Sequence, residues 1–191
     1  MSNPLRIEDR GNALIICFDR SKQRNPLSSR AIDTLEVAVS KLGAHIEKVI
    51  FTGTDGVFAS GADLNEIEQL TPEAAPAFSR RGQHLMERIA ELPQRTIAAV
   101  NGLCYGGGLD LALACDRRIA SPNAVFCHPG AGLGIITGWG GTQRLPRLIG
   151  QANALEMFFT GTPIDAARAY KIGLIDEIDD DPLVRALEQG A

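Results

Sequence analysis

The chain has 191 residues, a formal net charge of −4, 45% hydrophobic residues and 22% charged ones. That is enough apolar material for one sizeable core, without the Lys and Arg excess of a nucleic-acid-binding surface. No stretch is long and apolar enough to cross a bilayer, and Met1 to Arg10 has no basic segment followed by an apolar run. Four cysteines, Cys17, Cys104, Cys115 and Cys127, lie scattered among apolar neighbours without metal-ligand spacing. They predict buried reduced thiols rather than a metal site. These features together point to the reducing cytoplasm, with no metal, nucleic acid or membrane as partner.

The apolar run Leu14 to Phe18 predicts a strand, and the polar stretch Asp19 to Ser29, with Pro26, a loop. Between Leu27 and Gly43, the positions Ile32, Leu35, Val39 and Leu42 recur at helical spacing. Val49 to Thr52 is again strand-like, and Gly53 to Gly61 reads as a glycine-punctuated loop. A second helical pattern covers Gln83 to Leu92. Ile97 to Val100 is a compact strand that runs into Asn101-Gly102 and the triple glycine Gly106, Gly107 and Gly108.

Leu109 to Cys115 is rich in helix formers and predicts a buried helix. Ile119, Ala120, Val125 and Phe126 suggest short strands around a turn at Ser121-Pro122-Asn123. From Gly130 to Gly141 there are six glycines, which implies a long loop that exposes its backbone. Helices are expected at Gly141 to Ile149 and Ala152 to Phe159. Thr162-Pro163 marks a further helix start, Gly173 its end, and Leu174 to Ile178 another strand. Strands alternating with helices argue for an α/β domain. There is no convincing internal repeat, and Asp179 to Ala191 holds a charged turn and at most one short helix.

Two segments could carry chemistry. The first, Gly53 to Asp63, is a turn between a strand and a helix, where glycines can serve turn geometry alone. In the second, Asn101 to Asp110, three glycines precede a helix; they permit close backbone packing or leave amides free to hold an anion or developing oxyanion. Asp110 falls in the first helical turn, where the helix dipole favours a carboxylate and where a proton-transfer group could equally stand. Burial would raise its pKa and the helix N-terminus would lower it. His128, at the start of the glycine-rich loop, is a candidate acid or base. Neither glycine run matches a dinucleotide or phosphate-loop fingerprint, and no Gly-x-Ser-x-Gly elbow occurs.

The ordered segments Val57-Phe58-Ala59-Ser60-Gly61-Ala62-Asp63-Leu64, Ala99-Val100-Asn101-Gly102 with Gly106-Gly107-Gly108, and Gly140-Gly141-Thr142-Gln143-Arg144-Leu145-Pro146 resemble the crotonase, or enoyl-CoA hydratase/isomerase, family. Phe159-Thr160-Gly161 and Ala166 to Leu174 extend the similarity, which runs from about Asn12 to Ile178. The resemblance implies a ββα superhelical spiral in a single domain over residues 1–191, with its C-terminal helical region short or missing. It implies binding of an acyl-CoA thioester, with coenzyme A present as part of the substrate and no tightly bound cofactor. The amides of Ala62 and Gly107 would form an oxyanion hole for a thioester enolate. Arg24, Pro26, Leu27, Ala59, Gly61, Asp63 and Leu64 would lie on the CoA side. Leu103, Tyr105, Leu133, Ile136 and Trp139 are candidates for the acyl pocket.

The family's two catalytic glutamates match Asp110 and Gly130 here. Related dienoyl-CoA isomerases place an aspartate at the first position, but their later carboxylates match Gly130 and Gly138. The resemblance therefore implies hydratase or isomerase chemistry centred on Asp110, with His128 or a loop-held water replacing the missing group. Decarboxylation through the same enolate and a catalytically weak acyl-CoA-binding homologue are the alternatives. Family members assemble as trimers or dimers of trimers, so a homo-oligomer is expected.

Overall fold

The computed structural model describes residues 3–189; the outermost positions of the expected single domain, 1–2 and 190–191, lie outside the described residues. The chain opens with an antiparallel pair, β1 (Leu5–Arg10) and β2 (Ala13–Phe18). A short strand β3 (Pro26–Leu27) and helix α1 (Ser29–Ser40) follow. Ser28 caps α1 by accepting from the Ala31 amide, and Ile32, Leu35 and Val39 form its buried stripe.

Three ββα units come next. The first comprises β4 (Lys48–Gly53), β5 (Val57–Ala59), a short β6 (Gly61–Ala62), and the helices α2 (Leu64–Glu68) and α3 (Ala75–Ala90). The second comprises β7 (Arg95–Val100), β8 (Leu103–Tyr105) and α4 (Gly107–Ala114). In the third, β9 (Arg117–Ala120) and β10 (Val125–Cys127) lead to α5 (Gly130–Leu133), α6 (Gly141–Ile149) and α7 (Gln151–Thr160). The chain closes with β11 (Ile164–Asp165), α8 (Ala166–Lys171), β12 (Glu177–Ile178) and the short α9 (Pro182–Glu188).

The first strand of each unit joins one sheet, ordered β1-β2-β4-β7-β9-β12, and the second joins another, ordered β11-β10-β8-β5. Both sets run parallel. Each unit thus advances the spiral by one strand in both layers, and the repeat is one of topology rather than of sequence. Strands β4 and β7 are buried along nearly their whole length, which explains their unbroken apolar runs: a parallel sheet is covered on both faces. Phe18, Phe51, Phe58, Phe126, Leu85 and Met86 are among the fully buried side chains. Each such burial is worth roughly 1.5–3 kcal/mol of transfer free energy.

Several boundaries differ from expectation. Helix α3 begins eight residues before the predicted Gln83, because neither Pro76 in its first turn nor Gly82 breaks it. The supposed loop Gly53 to Gly61 contains β5 and the start of β6. Pro163 does not open a helix: Ile164 and Asp165 pair with β10, and the Asp165 carboxylate then caps α8 by accepting from the Arg168 amide. Of Leu174 to Ile178, only Glu177–Ile178 is strand. All four cysteines are free and buried.

Candidate active site

The site assembles at the N-terminus of α4, where two glycine segments press together. Gly61 holds a left-handed φ of +94°, and a β-carbon there would stand 2.6 Å from the Gly107 nitrogen and 3.0 Å from the Tyr105 carbonyl oxygen. No side chain fits that gap. A β-carbon on Gly107 would in turn lie 3.4 Å from the Ala62 nitrogen and 2.5 Å from the Trp139 ring. The amide nitrogens of Ala62 and Gly107 are therefore near neighbours. As the first residue of α4, Gly107 has no acceptor for its amide within its own helix.

Trp139 is 4% exposed and fills the space left by two glycines, Gly82 on α3 and Gly107 on α4. Phe78 packs against it with ring centroids 5.7 Å apart. The indole thus backs the turn that carries the Gly107 amide.

Asp110, one turn into α4, is fully buried. The Thr137 hydroxyl donates to its Oδ2, whereas Oδ1 has no hydrogen-bond partner. Burial pushes this carboxyl up to about 7, against the opposing pull of Thr137, the Trp139 and Gly141 amides and the Arg144 charge. Desolvation thus outweighs these hydrogen bonds and the Arg144 charge. Room for Oδ1 exists only because residue 141 is glycine: a β-carbon there would overlap that oxygen.

His128, at the end of β10, is 4% exposed, and neither ring nitrogen has a partner. Its Nε2 stands 3.8 Å from Asp110 Oδ1, and burial pushes its pKa down to about 4. At neutral pH the imidazole is uncharged, so the pair is a polar couple rather than a salt bridge. The His128 ring packs on Phe158 with centroids 5.1 Å apart.

A cavity of about 270 Å³ opens onto these groups. Ala62, Gly107, Asp110, His128 and Thr137 form its polar end, while Leu64, Ile67, Leu70, Phe78, Leu133 and Ile136 provide apolar wall. Among the described residues, no Lys or Arg lines it. Among the described residues, no cluster of three or more His, Cys, Asp or Glu could hold a metal ion.

The structure brings together Ala62, Leu64, Gly107, Asp110, His128, Leu133, Ile136 and Trp139 from the sequence-derived candidates. It does not bring Leu103 or Tyr105 to the cavity; β8 pairs them with Val125 and Cys127 of β10 instead. Leu27 and Ala59 are fully buried core residues. Strand β3 places Pro26 and Leu27 beside Gly61 and Ala62. Arg24 is exposed, with its carbonyl oxygen accepting from the Ser60 amide. Asp63 caps α2 by accepting from the Asn65 amide. Thr137, Gly141 and Phe158 were missed. A lone threonine within a glycine-rich loop gives no sequence signal, and Phe158 reads as ordinary helix packing.

Similarity to known proteins agrees with this geometry. Residues 8–187 match the family model described as enoyl-CoA hydratase/isomerase. The short-chain-enoyl-CoA hydratase of Clostridium acetobutylicum is 36% identical over 179 residues, an alignment covering 92% of this chain and 69% of that protein. A probable enoyl-CoA hydratase of Bacillus subtilis is 42% identical over 154 residues, covering 79% of this chain and 60% of that protein. The crystal structure of an enoyl-CoA hydratase from Bacillus anthracis superposes with a TM-score of 0.92 at 35% identity, covering 97% of this chain and 74% of that one. The chain is an enzyme of the enoyl-CoA hydratase/isomerase family, with the crotonase fold.

Proposed function

We propose that this enzyme adds water to, or removes it from, an acyl-CoA thioester, with Asp110 and His128 holding the reacting oxygen. The observation that carries the reading is the gap between Asp110 Oδ1 and His128 Nε2: two buried, unpartnered polar atoms 3.8 Å apart at the polar end of the cavity. The separation is too long for a direct hydrogen bond and suits one oxygen atom placed to contact both.

In the hydration direction, the Asp110 carboxylate takes a proton from the bound water as its oxygen bonds to the β-carbon. Electron density moves to the thioester oxygen, which the Ala62 and Gly107 amides stabilise. Asp110 then returns that proton to the α-carbon. One water is consumed, one C–O and one C–H bond form, and the carboxylate is regenerated. A carboxyl with a pKa of about 7 suits both halves of this transfer at neutral pH. Neutral His128 orients the water without competing for its proton.

A second reading is double-bond isomerisation by Asp110 alone. It is favoured by Asp110 being the cavity-lining carboxyl and by the absence of any side chain at Gly130. A carboxylate-bearing acyl group, as decarboxylation requires, would meet no cation among the described residues that line the cavity. Substrate entry as the CoA thioester, a cytoplasmic setting and assembly with further copies of the chain belong to the same reading. Exposed Phe159 and Leu155 on α7 offer apolar surface for such assembly.

The test is mass spectrometry of purified protein against a panel of enoyl, dienoyl and malonyl-type CoA thioesters. Gain or loss of one water supports the first reading. An unchanged mass with a moved double bond selects the second. Binding without conversion of any thioester contradicts both.

A further inference from the structure

We infer that Thr137 is a positioning residue for the reaction, fixing the Asp110 carboxyl so that one chosen oxygen faces His128 and the substrate. This rests on the reading of Asp110 as the proton-transfer group. An aspartate is one methylene shorter than the family's glutamate, and its terminal torsion is a broad, roughly two-fold rotor. Left alone, its two oxygens would exchange places at little cost. The Thr137 hydroxyl removes that freedom by donating to Oδ2.

The same loop shapes the other oxygen's surroundings. The absent side chain of Gly141 leaves the space that Oδ1 occupies, and the Thr137 methyl would stand 2.8 Å from a β-carbon placed there. Midway between them, Trp139 backs Gly107. Residues 137–141 therefore press on the first turn of α4 at the Gly107 backbone, hold Asp110 Oδ2, and leave room for Oδ1. Thr137 also lines the cavity, so its hydroxyl is set where substrate and carboxyl meet.

The charged and titratable groups that face this carboxyl are Arg144 on α6, Cys104 on β8 and His128 at the end of β10. Cys104, itself fully buried and pushed far up by desolvation, stays protonated. His128 is neutral at pH 7. The Arg144 charge, the Trp139 and Gly141 amides and the Thr137 hydroxyl all favour the ionised carboxylate, and the Thr137 hydroxyl is the side-chain group that donates to Oδ2.

The experiment uses protein carrying a ¹³C label at aspartate carboxyl carbons, with the Asp110 signal assigned from Asp110→Asn. Its titration is followed without substrate in the parent, in Thr137→Val and in Thr137→Ser, and kcat and KM are measured on whichever thioester the parent converts. Thr137→Val is expected to move the Asp110 titration upward and to lower kcat about tenfold to a hundredfold, with a smaller change in KM. Thr137→Ser is expected to restore both. An unchanged titration in Thr137→Val overturns the inference, whatever the turnover. A shifted titration with unchanged kcat would leave Thr137 holding the carboxyl and overturn its part in the reaction. A shifted titration in a protein that converts no thioester would instead overturn the proton-transfer reading of Asp110.

Discussion

His128 Nε2 lies 3.8 Å from Asp110 Oδ1, and burial displaces the two groups in opposite directions, Asp110 up to about 7 and His128 down to about 4. Between about pH 4 and 6.5, folded Asp110 keeps a proton that the unfolded chain has released, so its contribution to stability falls as pH rises. Over the same window the unfolded chain binds a His128 proton that the folded protein lacks, so that contribution rises. The two slopes, each about 1.4 kcal/mol per pH unit, oppose one another. Asp110→Asn is expected to gain stability relative to the parent as pH rises from 4 to 7. His128→Gln is expected to lose it from pH 4 to 6.5. Urea denaturation at a series of pH values checks both; curves parallel to the parent would show that neither group titrates as described.

Gly141 gives a second test. It opens α6 with ordinary helical geometry, so alanine costs little in backbone strain, but the added carbon would overlap Asp110 Oδ1. Gly141→Ala is expected to destabilise the fold by about 1–3 kcal/mol, as overpacking does, and to lower turnover at least about tenfold by displacing the carboxyl. Thermal melting and steady-state kinetics read the two effects separately. Parent-like activity would mean that the position of Oδ1 is immaterial.

Much of this arrangement was legible from residue order. The apolar runs of β4 and β7 pointed to an α/β domain, because buried parallel strands leave strong local patterns, while the ββα spiral came from the ordered motifs that resemble the crotonase family. What escaped depends on contacts between distant segments. Leu103 and Tyr105 sit beside the glycine run in sequence, yet their strand pairs with Val125 and Cys127 more than twenty residues on. Thr137 reaches Asp110 across 27 residues of chain, and the fit of Gly82 to the Trp139 ring spans 57 positions. No local periodicity encodes such meetings.

Restoring a glutamate at position 130 is not expected to create a better hydratase. A β-carbon on Gly130 would stand 3.1 Å from the Ile135 carbonyl carbon and closer still to its oxygen, which faces the turn closed by the bond from the Ile135 amide to the Gly130 carbonyl. Gly130→Glu should therefore displace the 130–136 segment, with lower stability and no rise in water addition. A variant both stable and faster would mean that the loop yields easily and that His128 is dispensable.

The most direct measurement is the incubation of an enoyl-CoA thioester with enzyme in ¹⁸O-labelled water, comparing the parent with Asp110→Asn and His128→Gln. The account predicts a product carrying the heavy oxygen from the parent. It also predicts a loss of rate of about a hundredfold or more in Asp110→Asn and a smaller loss in His128→Gln. A product isomerised without label, or label incorporated as fast by Asp110→Asn as by the parent, would contradict it.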